Sequence, residues 1–348
     1  MSKDKKADIH VVAKAARVSP STVSRYFNHP ELLKPATRKR IDSAVRRTGY
    51  IRNRAAQTIH GIRSGTIGVL IPTLDHAIFA EVVQAFSDTV AAQGFTILLA
   101  SHGYDLQREY AILRKFLEHR VDGVVLTGLD HDAAVFQLLD SQGIPSVLMW
   151  NYATDAPYPT IGADNEQAGR MIAAHVLALG HRDVACMFPP TDGNDRAAAR
   201  REVVYATLAA AGVQVREAWR LTTVYSISES KRDAMRLLAG TDRPTALICG
   251  NDILATGAIY GAKAAGCDVP GDVSIVGIGD FKGSADIEPA LTTVRLPARR
   301  IGQEAGRALM SAITAPGDGA AQSLHCAPEL MIRQSCAPVA LPKSGSGR

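Results

Sequence analysis

The sequence predicts a chain in two parts, an all-α helix-turn-helix head and an α/β core of two lobes with parallel, doubly wound sheets. Three observations carry this. Residues 8–28 hold two short helical patterns separated by a tight turn. From Thr66 onward, strand-like apolar runs alternate with amphipathic helical ones, as successive strand–helix–strand units require. Charge is also segregated: residues 1–65 contain 15 Lys/Arg and 4 Asp/Glu, whereas the remaining 283 contain 24 and 30. A basic module on a mildly acidic body is the electrostatic footprint of a phosphate binder.

In the head, Ile9, Val12, Ala13 and Ala16 recur at helical spacing and form an inward stripe. Ser19 stands where an N-cap is wanted, and Pro20 follows at the first helical position, where a missing N–H costs nothing. The second helix then buries Val23 and Phe27 and leaves Ser21, Thr22, Ser24, Arg25 and Asn28 for a partner. A helix so furnished enters the DNA major groove. The plainer alternative is a helical hairpin that caps a domain. Pro35 to Gly49 reads as a third helix with Ile41, Ala44 and Val45 inward. Tyr50 to Ser64 is a basic linker with one apolar cluster at Ala55, Ala56 and Ile59. A helix that short is marginal alone, so it is expected to order on DNA.

The core reads as strand Thr66–Pro72, helix Phe79–Gln93, strand Phe95–Ala100, helix Leu106–His119, strand Val121–Leu126, helix Ala133–Gln142 and strand Pro145–Trp150. A second round of the same kind begins near Asp164 and runs to the strand Val273–Ile278. Leu291–Pro297 and the segment around Leu324–Gln334 read as returning strands, so the chain should cross between the lobes several times. Two hinged lobes make a cleft for a small molecule. The expected domains are a helix-turn-helix head at 1–49, a hinge at 50–65, a core at 66–340 and a disordered tail at 341–348. Within the core, the first lobe takes about 66–162 and 292–322, and the second about 163–291 and 323–340.

Five cysteines without a C-x-x-C pair argue against a disulfide framework or zinc site and fit a reducing cytoplasm. No apolar run suits a signal peptide or membrane span. Two rival readings can be weighed. The glycines of Val273–Gly283 superficially suggest a dinucleotide fingerprint, but the third is displaced by one residue and the site comes late in the chain. No catalytic triad or metal-ligand spacing stands out, so no catalytic residue, metal or cofactor is assigned. A solute-binding protein would account for the core but not for the basic head.

Val18-Ser-Pro-Ser-Thr-Val-Ser-Arg25, Gly49-Tyr-Ile-Arg-Asn-Arg54, Leu179-Gly-His-Arg182, Asn251-Asp252 and Pro289-Ala-Leu-Thr-Thr-Val294 resemble, in this order and spacing, the LacI/GalR family of transcriptional regulators over nearly the whole chain. Phe79-Ala-Glu-Val-Val, Gly103-Tyr104 and Gly277-Ile-Gly-Asp280 are most similar to the gluconate-repressor branch. The resemblance implies a cytoplasmic homodimer on a pseudo-palindromic operator in double-stranded DNA, probing a metabolite with a core like periplasmic sugar-binding proteins. The tail, with Pro338, Pro342 and a Gly/Ser run but no heptads, offers nothing to build a tetramer.

Carried over by position, the DNA-reading residues are Ser19, Pro20, Ser21, Thr22, Ser24, Arg25 and Asn28, with Asn53, Arg54, Ala56 and Ile59 in the hinge. Arg25 has the planar fork that suits guanine O6 and N7; its alternative is a phosphate contact. Ile59 takes the place of the family's usual Leu as the minor-groove wedge, and its alternative is packing on a partner hinge. Arg17 stands where the family's turn usually has Gly; a left-handed backbone there would cost about 1 kcal/mol.

The effector residues implied are Phe79, Trp150, Arg200, Asn251 and Asp280. Trp150 is a platform for a sugar ring or a lobe-interface residue, and Arg200 holds a hydroxyl or carboxylate or lies on a solvated helix face. One of Asn251 and Asp252 binds hydroxyls while the other caps the next helix. A single acid at Asp280, where the family often has two, leans toward a sugar acid such as gluconate over a neutral sugar. A purine or other metabolite is the alternative.

Overall fold

The computed structural model describes residues 7–52, 63–315 and 322–339 of the 348. The chain divides into two compact units, Met1–Ser64 and Gly65–Arg348.

The first unit is built of α1 (Ile9–Ala16), α2 (Pro20–Asn28), a short 3-10 turn at Pro30–Leu32 and α3 (Pro35–Thr48). Asp8 caps α1 by accepting from the Val11 amide, and Ser19 caps α2 by accepting from the Thr22 amide. Val12, Ala13, Ala16, Val23, Leu33, Ile41 and Ala44 form the buried core, with Ile9, Phe27 and Val45 packed against it. Arg17 ends α1 in the left-handed region, φ 55° and ψ 51°. The turn therefore does require the backbone that glycine adopts freely, and Arg17 bears that cost while its own amide closes the helix onto the Ala13 and Lys14 carbonyls.

In the second unit the strands are β1 (Thr66–Ile71), β2 (Thr96–Ser101), β3 (Gly123–Thr127), β4 (Ser146–Asn151), β5 (Thr160–Ala163), β6 (Val184–Phe188), β7 (Arg220–Thr222), β8 (Ala246–Cys249), β9 (Ser274–Gly279), β10 (Thr292–Arg295), β11 (Leu324–His325) and β12 (Glu329–Met331). The helices are α4 (Ala77–Ala91), α5 (Leu106–Glu118), α6 (Ala133–Gln142), α7 (Asn165–Ala178), α8 (Asp195–Ala210), α9 (Ile227–Leu238), α10 (Asp252–Ala264) and α11 (Ala298–Thr314). One sheet runs β11-β5-β4-β3-β1-β2 and the other β12-β10-β9-β8-β6-β7. Pairing is parallel throughout except for β12, which lies antiparallel to β10. Central strands such as β3, β4 and β6 are buried along their whole length, which is why they read as unbroken apolar runs.

The lobe boundaries expected from the sequence need correction at two strands. The sequence pattern puts β10 in the first lobe, at 292–322, but it pairs with β9 in the second sheet, Thr292 beside Val276. It puts β11 in the second, at 323–340, but this strand pairs with β5 in the first, Leu324 beside Ile161. The physical reason lies in Asp252. Its buried carboxylate accepts from the Phe281 amide at 2.9 Å, Ser284 Oγ at 2.6 Å and Thr293 Oγ1 at 2.6 Å. That anchor keeps the helix-free connection from β9 at home and lays β10 down beside it. The chain crosses only after Arg295, when α11 packs on α4 and β4.

Trp150, near the end of β4, has φ 90°, and an added Cβ at Gly162 would lie 2.2 Å from the Trp150 carbonyl carbon. Glycine is required so that β5 can approach this kinked strand. Gly162→Ala is expected to destabilise the core by about 2 kcal/mol through overpacking, read as a lower midpoint in a urea melt of the second unit.

Candidate functional site

On the head, α2 presents its polar face outward. Ser19, Ser21, Arg25 and Asn28 are exposed, while Pro20, Thr22 and Ser24 are half-buried. Their hydroxyls are pre-engaged: Ser19 Oγ lies 2.8 Å from both Ser21 Oγ and Thr22 Oγ1. Asn28 Nδ2 donates to Ser24 Oγ at 3.3 Å, and its Oδ1 accepts from Arg52, whose guanidinium also lies over the Phe27 ring. Arg25 has no partner among the described residues and is the free cation of this face. Arg47 donates to the Ala15 carbonyl at 3.1 Å and ties α3 to α1. The hinge residues Asn53, Arg54, Ala56 and Ile59 lie outside the described residues.

Between the lobes of the core, four of the five expected residues, Phe79, Trp150, Arg200 and Asn251, converge on one cavity of about 30 Å³. Phe79 and Trp150 pack with ring centroids 5.5 Å apart. Trp150 is part of the continuous core and also a wall of the cavity. Arg200 is not on a solvated face. It is 6% exposed and donates to Asn165 Oδ1 at 2.6 Å. The expected division between Asn251 and Asp252 does not hold: Asn251 both lines the cavity and caps α10, its Oδ1 accepting from the Leu254 amide, while Asp252 is the buried anchor of the β9–β10 connection.

Asp280 is the correction. Its carboxylate accepts from Arg295 Nε at 2.8 Å and pairs with Arg333 Nη1 at 2.6 Å, and it does not line the cavity. The left-handed backbone at Asp280, φ 54°, directs this side chain to the two arginines and gives the cavity wall to Phe281.

Several cavity residues escaped sequence reasoning: His76, Tyr104, Asn194, Arg196 and Tyr225. One signal was available. Arg196 and Arg200 stand four apart, which puts both guanidiniums on the same face of α8. The loop residues had none, because His76 and Tyr225 meet only across the cleft, with ring centroids 4.6 Å apart. Asn194 Nδ2 donates to the Tyr225 hydroxyl at 3.1 Å and fixes that ring.

The electrostatics are lopsided. Arg196 Nη1 donates to Asp195 Oδ1 at 2.8 Å, yet its Nη2 is buried with no partner among the described residues, as is Arg200 Nε. Burial depresses the Arg200 pKa from its ordinary value and pushes the Tyr104 phenol up. Burial also holds the His76 imidazole below its usual pKa, so it stays neutral near pH 7. Asp195 is the carboxylate beside two guanidiniums. Its Oδ2 also accepts from the Leu129 amide at 2.7 Å and Asn151 Nδ2 at 2.9 Å, both in the first lobe. The pair Asp195–Arg196 therefore holds the cleft shut. Ligand pockets run to roughly 300–1,000 Å³, so at about 30 Å³ this cavity by itself is too small for a metabolite.

A helical head with an exposed reading helix, joined to a two-lobed core that closes on a cavity of aromatic walls and two arginines, is the build of a ligand-controlled DNA-binding regulator. Residues 8–53 match the model described as bacterial regulatory proteins, lacI family, and residues 173–336 match the periplasmic binding protein-like domain. The HTH-type transcriptional repressor PurR of Erwinia tasmaniensis is 30% identical over 333 residues, covering 95% of this chain and 97% of that protein. PurR of Aliivibrio salmonicida is 31% identical over 311 residues, 88% and 92% of the two chains. Among solved structures, the transcription regulator GntR from Chromobacterium violaceum has 31% identity and a TM-score of 0.72 over 78% of this chain and 98% of that one. The lac repressor dimer bound to operator and the anti-inducer ONPF shares the fold, with 24% identity and a TM-score of 0.81 over 96% and 100%.

The chain belongs to the LacI family. It is a DNA-binding transcriptional repressor with an effector-binding domain, and it is not an enzyme. Repressors of this family bind operator DNA and small-molecule effectors and act as dimers.

The position of Asp280 has a measurable consequence. Asp280→Ala is expected to leave effector affinity within about twofold while costing about 2 kcal/mol of core stability, because Arg333 loses its buried partner. A ligand titration beside a denaturant melt reads both.

Proposed function

We propose that the effector is a small monoanionic polyol, a sugar acid of the gluconate type, and that it controls how the head reads its operator in the cytoplasm. The observation that carries this reading is the pair of buried, incompletely bonded guanidiniums, Arg196 and Arg200, beside one carboxylate, Asp195. With His76 neutral and Asp280 engaged by Arg295 and Arg333, the cavity is left with one uncompensated positive charge. A buried cation without its counter-charge is costly, and a carboxylate that meets both forks relieves it with charge-assisted hydrogen bonds. Phe79 and Trp150 offer aromatic faces, and Asn194 and Asn251 offer polar groups to hydroxyls. GntR of Chromobacterium violaceum, one of the similar structures, supports the same branch.

A purine is the second reading, favoured by the PurR relatives and by the aromatic walls. The two separate in a thermal-shift screen. D-gluconate is expected to raise the melting temperature, glucose to have no effect, and Arg200→Ala to abolish the response while operator binding persists. A shift with hypoxanthine or guanine and none with any sugar acid selects the purine.

On the DNA side, we assign base reading to Arg25, with Ser19, Pro20, Ser21, Thr22, Ser24 and Asn28 positioning the helix. Asn53, Arg54, Ala56 and Ile59 are assigned to the minor groove on the family resemblance. Arg25→Ala is expected to cost about 1–3 kcal/mol of discrimination against a mismatched operator. Competition gel shifts on specific and scrambled duplexes measure it, and a uniform loss on both duplexes would identify a phosphate contact.

A further inference from the structure

We propose that Arg17, in the turn between α1 and α2, is a clamp for a DNA phosphate, a contact outside the reading helix that holds the head on the duplex whatever its sequence. The proposal rests on α2 as the helix that enters the major groove.

The turn has the form that glycine suits. The Arg17 amide donates to the Lys14 carbonyl at 3.3 Å and the Val18 amide to the Ala13 carbonyl at 3.0 Å, which closes the helix through one left-handed residue. The end of α3 is left-handed too, at φ 63° and ψ 22°, and there the residue is Gly49. At Arg17 the Cβ crowds the next carbonyl oxygen, which lowers the folding equilibrium by roughly five- to thirtyfold. The closing bonds are main-chain bonds and form equally with glycine. The turn itself does not call for an arginine.

The side chain has no partner at home. Arg17 is exposed, and no described residue bonds its guanidinium. Every described carboxylate of the head is engaged elsewhere: Asp8 caps α1 at its far end, Glu31 pairs with His29, and Asp42 pairs with Arg46. The charges around the turn share its sign. Lys14, a turn back in α1, is exposed, and Arg47 reaches across from α3 to the Ala15 carbonyl at 3.1 Å. The carbonyl end of α1 favours a cation, but Lys14 already meets that field from the last turn. A strained, exposed cation among like charges is matched by an anion from outside the head.

The position selects which anion. Arg17 stands two residues before Ser19, the N-cap of α2, so the two Cα atoms are at most about 7 Å apart. A recognition helix brings its N-terminal residues to the base edges, so the chain just before it passes the rim of the groove, where the phosphates run. A guanidinium takes a phosphate through two parallel N–H···O bonds. Phosphate contacts fix register and carry no sequence information. Arg17 therefore sets affinity, while Arg25 sets the choice of bases.

Three substitutions in the full-length protein separate charge from strain. Arg17→Lys keeps both, Arg17→Gln keeps only the strain, and Arg17→Gly removes both. Binding to two duplexes of unrelated sequence is measured across roughly 50–200 mM salt. Arg17→Gln and Arg17→Gly are expected to reduce the slope of log K against log salt by about one per head, equally on both duplexes. Arg17→Lys should keep the wild-type slope. Hydrogen exchange of the Ala16, Ile41 and Ala44 amides in the free protein reads the stability of the head. Arg17→Gly is expected to slow it roughly threefold, because relief of strain exceeds the freedom that glycine adds to the unfolded chain. Arg17→Gln and Arg17→Lys should leave it unchanged. A wild-type slope in Arg17→Gln, or a loss confined to one duplex, overturns the proposal. Faster exchange in Arg17→Gly does so too, since it makes Arg17 a structural cap. Arg25→Ala, run beside them, separates the two levels: a loss there with none in Arg17→Gln overturns the clamp alone, whereas wild-type binding in both overturns α2 as the reading helix and the clamp with it.

Discussion

The carboxylate of Asp195 is the contact on which the cleft depends. It sits at the first position of α8, where the helix dipole favours a negative charge. From there it bonds the Arg196 guanidinium on its own lobe and the Leu129 amide and Asn151 amide on the other. With it in place the cavity is closed, the two arginines are desolvated, and the aromatic walls are brought together. A neutral side chain at this position would leave Arg196 without its counter-charge in a nearly dry site, where unpaired charge is most costly. Closure and charge balance are one problem in this core, and a single acid addresses both.

The backbone is strained in and beside the site at three places. Tyr104, Trp150 and Asp280 all have positive φ without being glycine, at 64°, 90° and 54°. The kink at Trp150 sets its ring into the cavity wall, and the one at Asp280 turns its carboxylate away from the cavity to Arg295 and Arg333. Unfavourable conformations persist only where the surroundings over-determine them, and they gather at functional sites. Arg17 in the head is a further case, held by hydrogen bonds from its own amide to the end of α1. In each case the chain accepts a local cost of about 1–3 kcal/mol to place a group that no relaxed turn would deliver.

The reading face of the head follows a different logic. Its hydroxyls and Asn28 are bonded to one another or to Arg52 rather than left open. Exchanging such short, exposed bonds for bonds to bases costs little, since intramolecular and solvent hydrogen bonds are nearly balanced. Arg25 stands apart because nothing among the described residues competes for it.

The sequence by itself determined most elements of this protein, though not the short strands β5 and β7, and the basic chemistry of its head. Hydrophobic period, caps and glycines marked α2, α3 and α6, since these signals act within a turn or two of the residue that carries them. The charge excess of residues 1–65 and the polar start of α2 likewise needed no fold to be seen. Tertiary structure decided which lobe owns β10 and β11, because strand pairing over long separations depends on anchors such as Asp252 that no local pattern reveals. It also decided the membership of the cavity. Phe79, Trp150, Arg200 and Asn251 were legible in the sequence, but His76, Arg196 and Tyr225 joined them and Asp280 left. The reason is physical: a side chain's direction at a strand end or loop is set by backbone dihedrals and by partners from the opposite lobe, and neither is written in its neighbours along the chain.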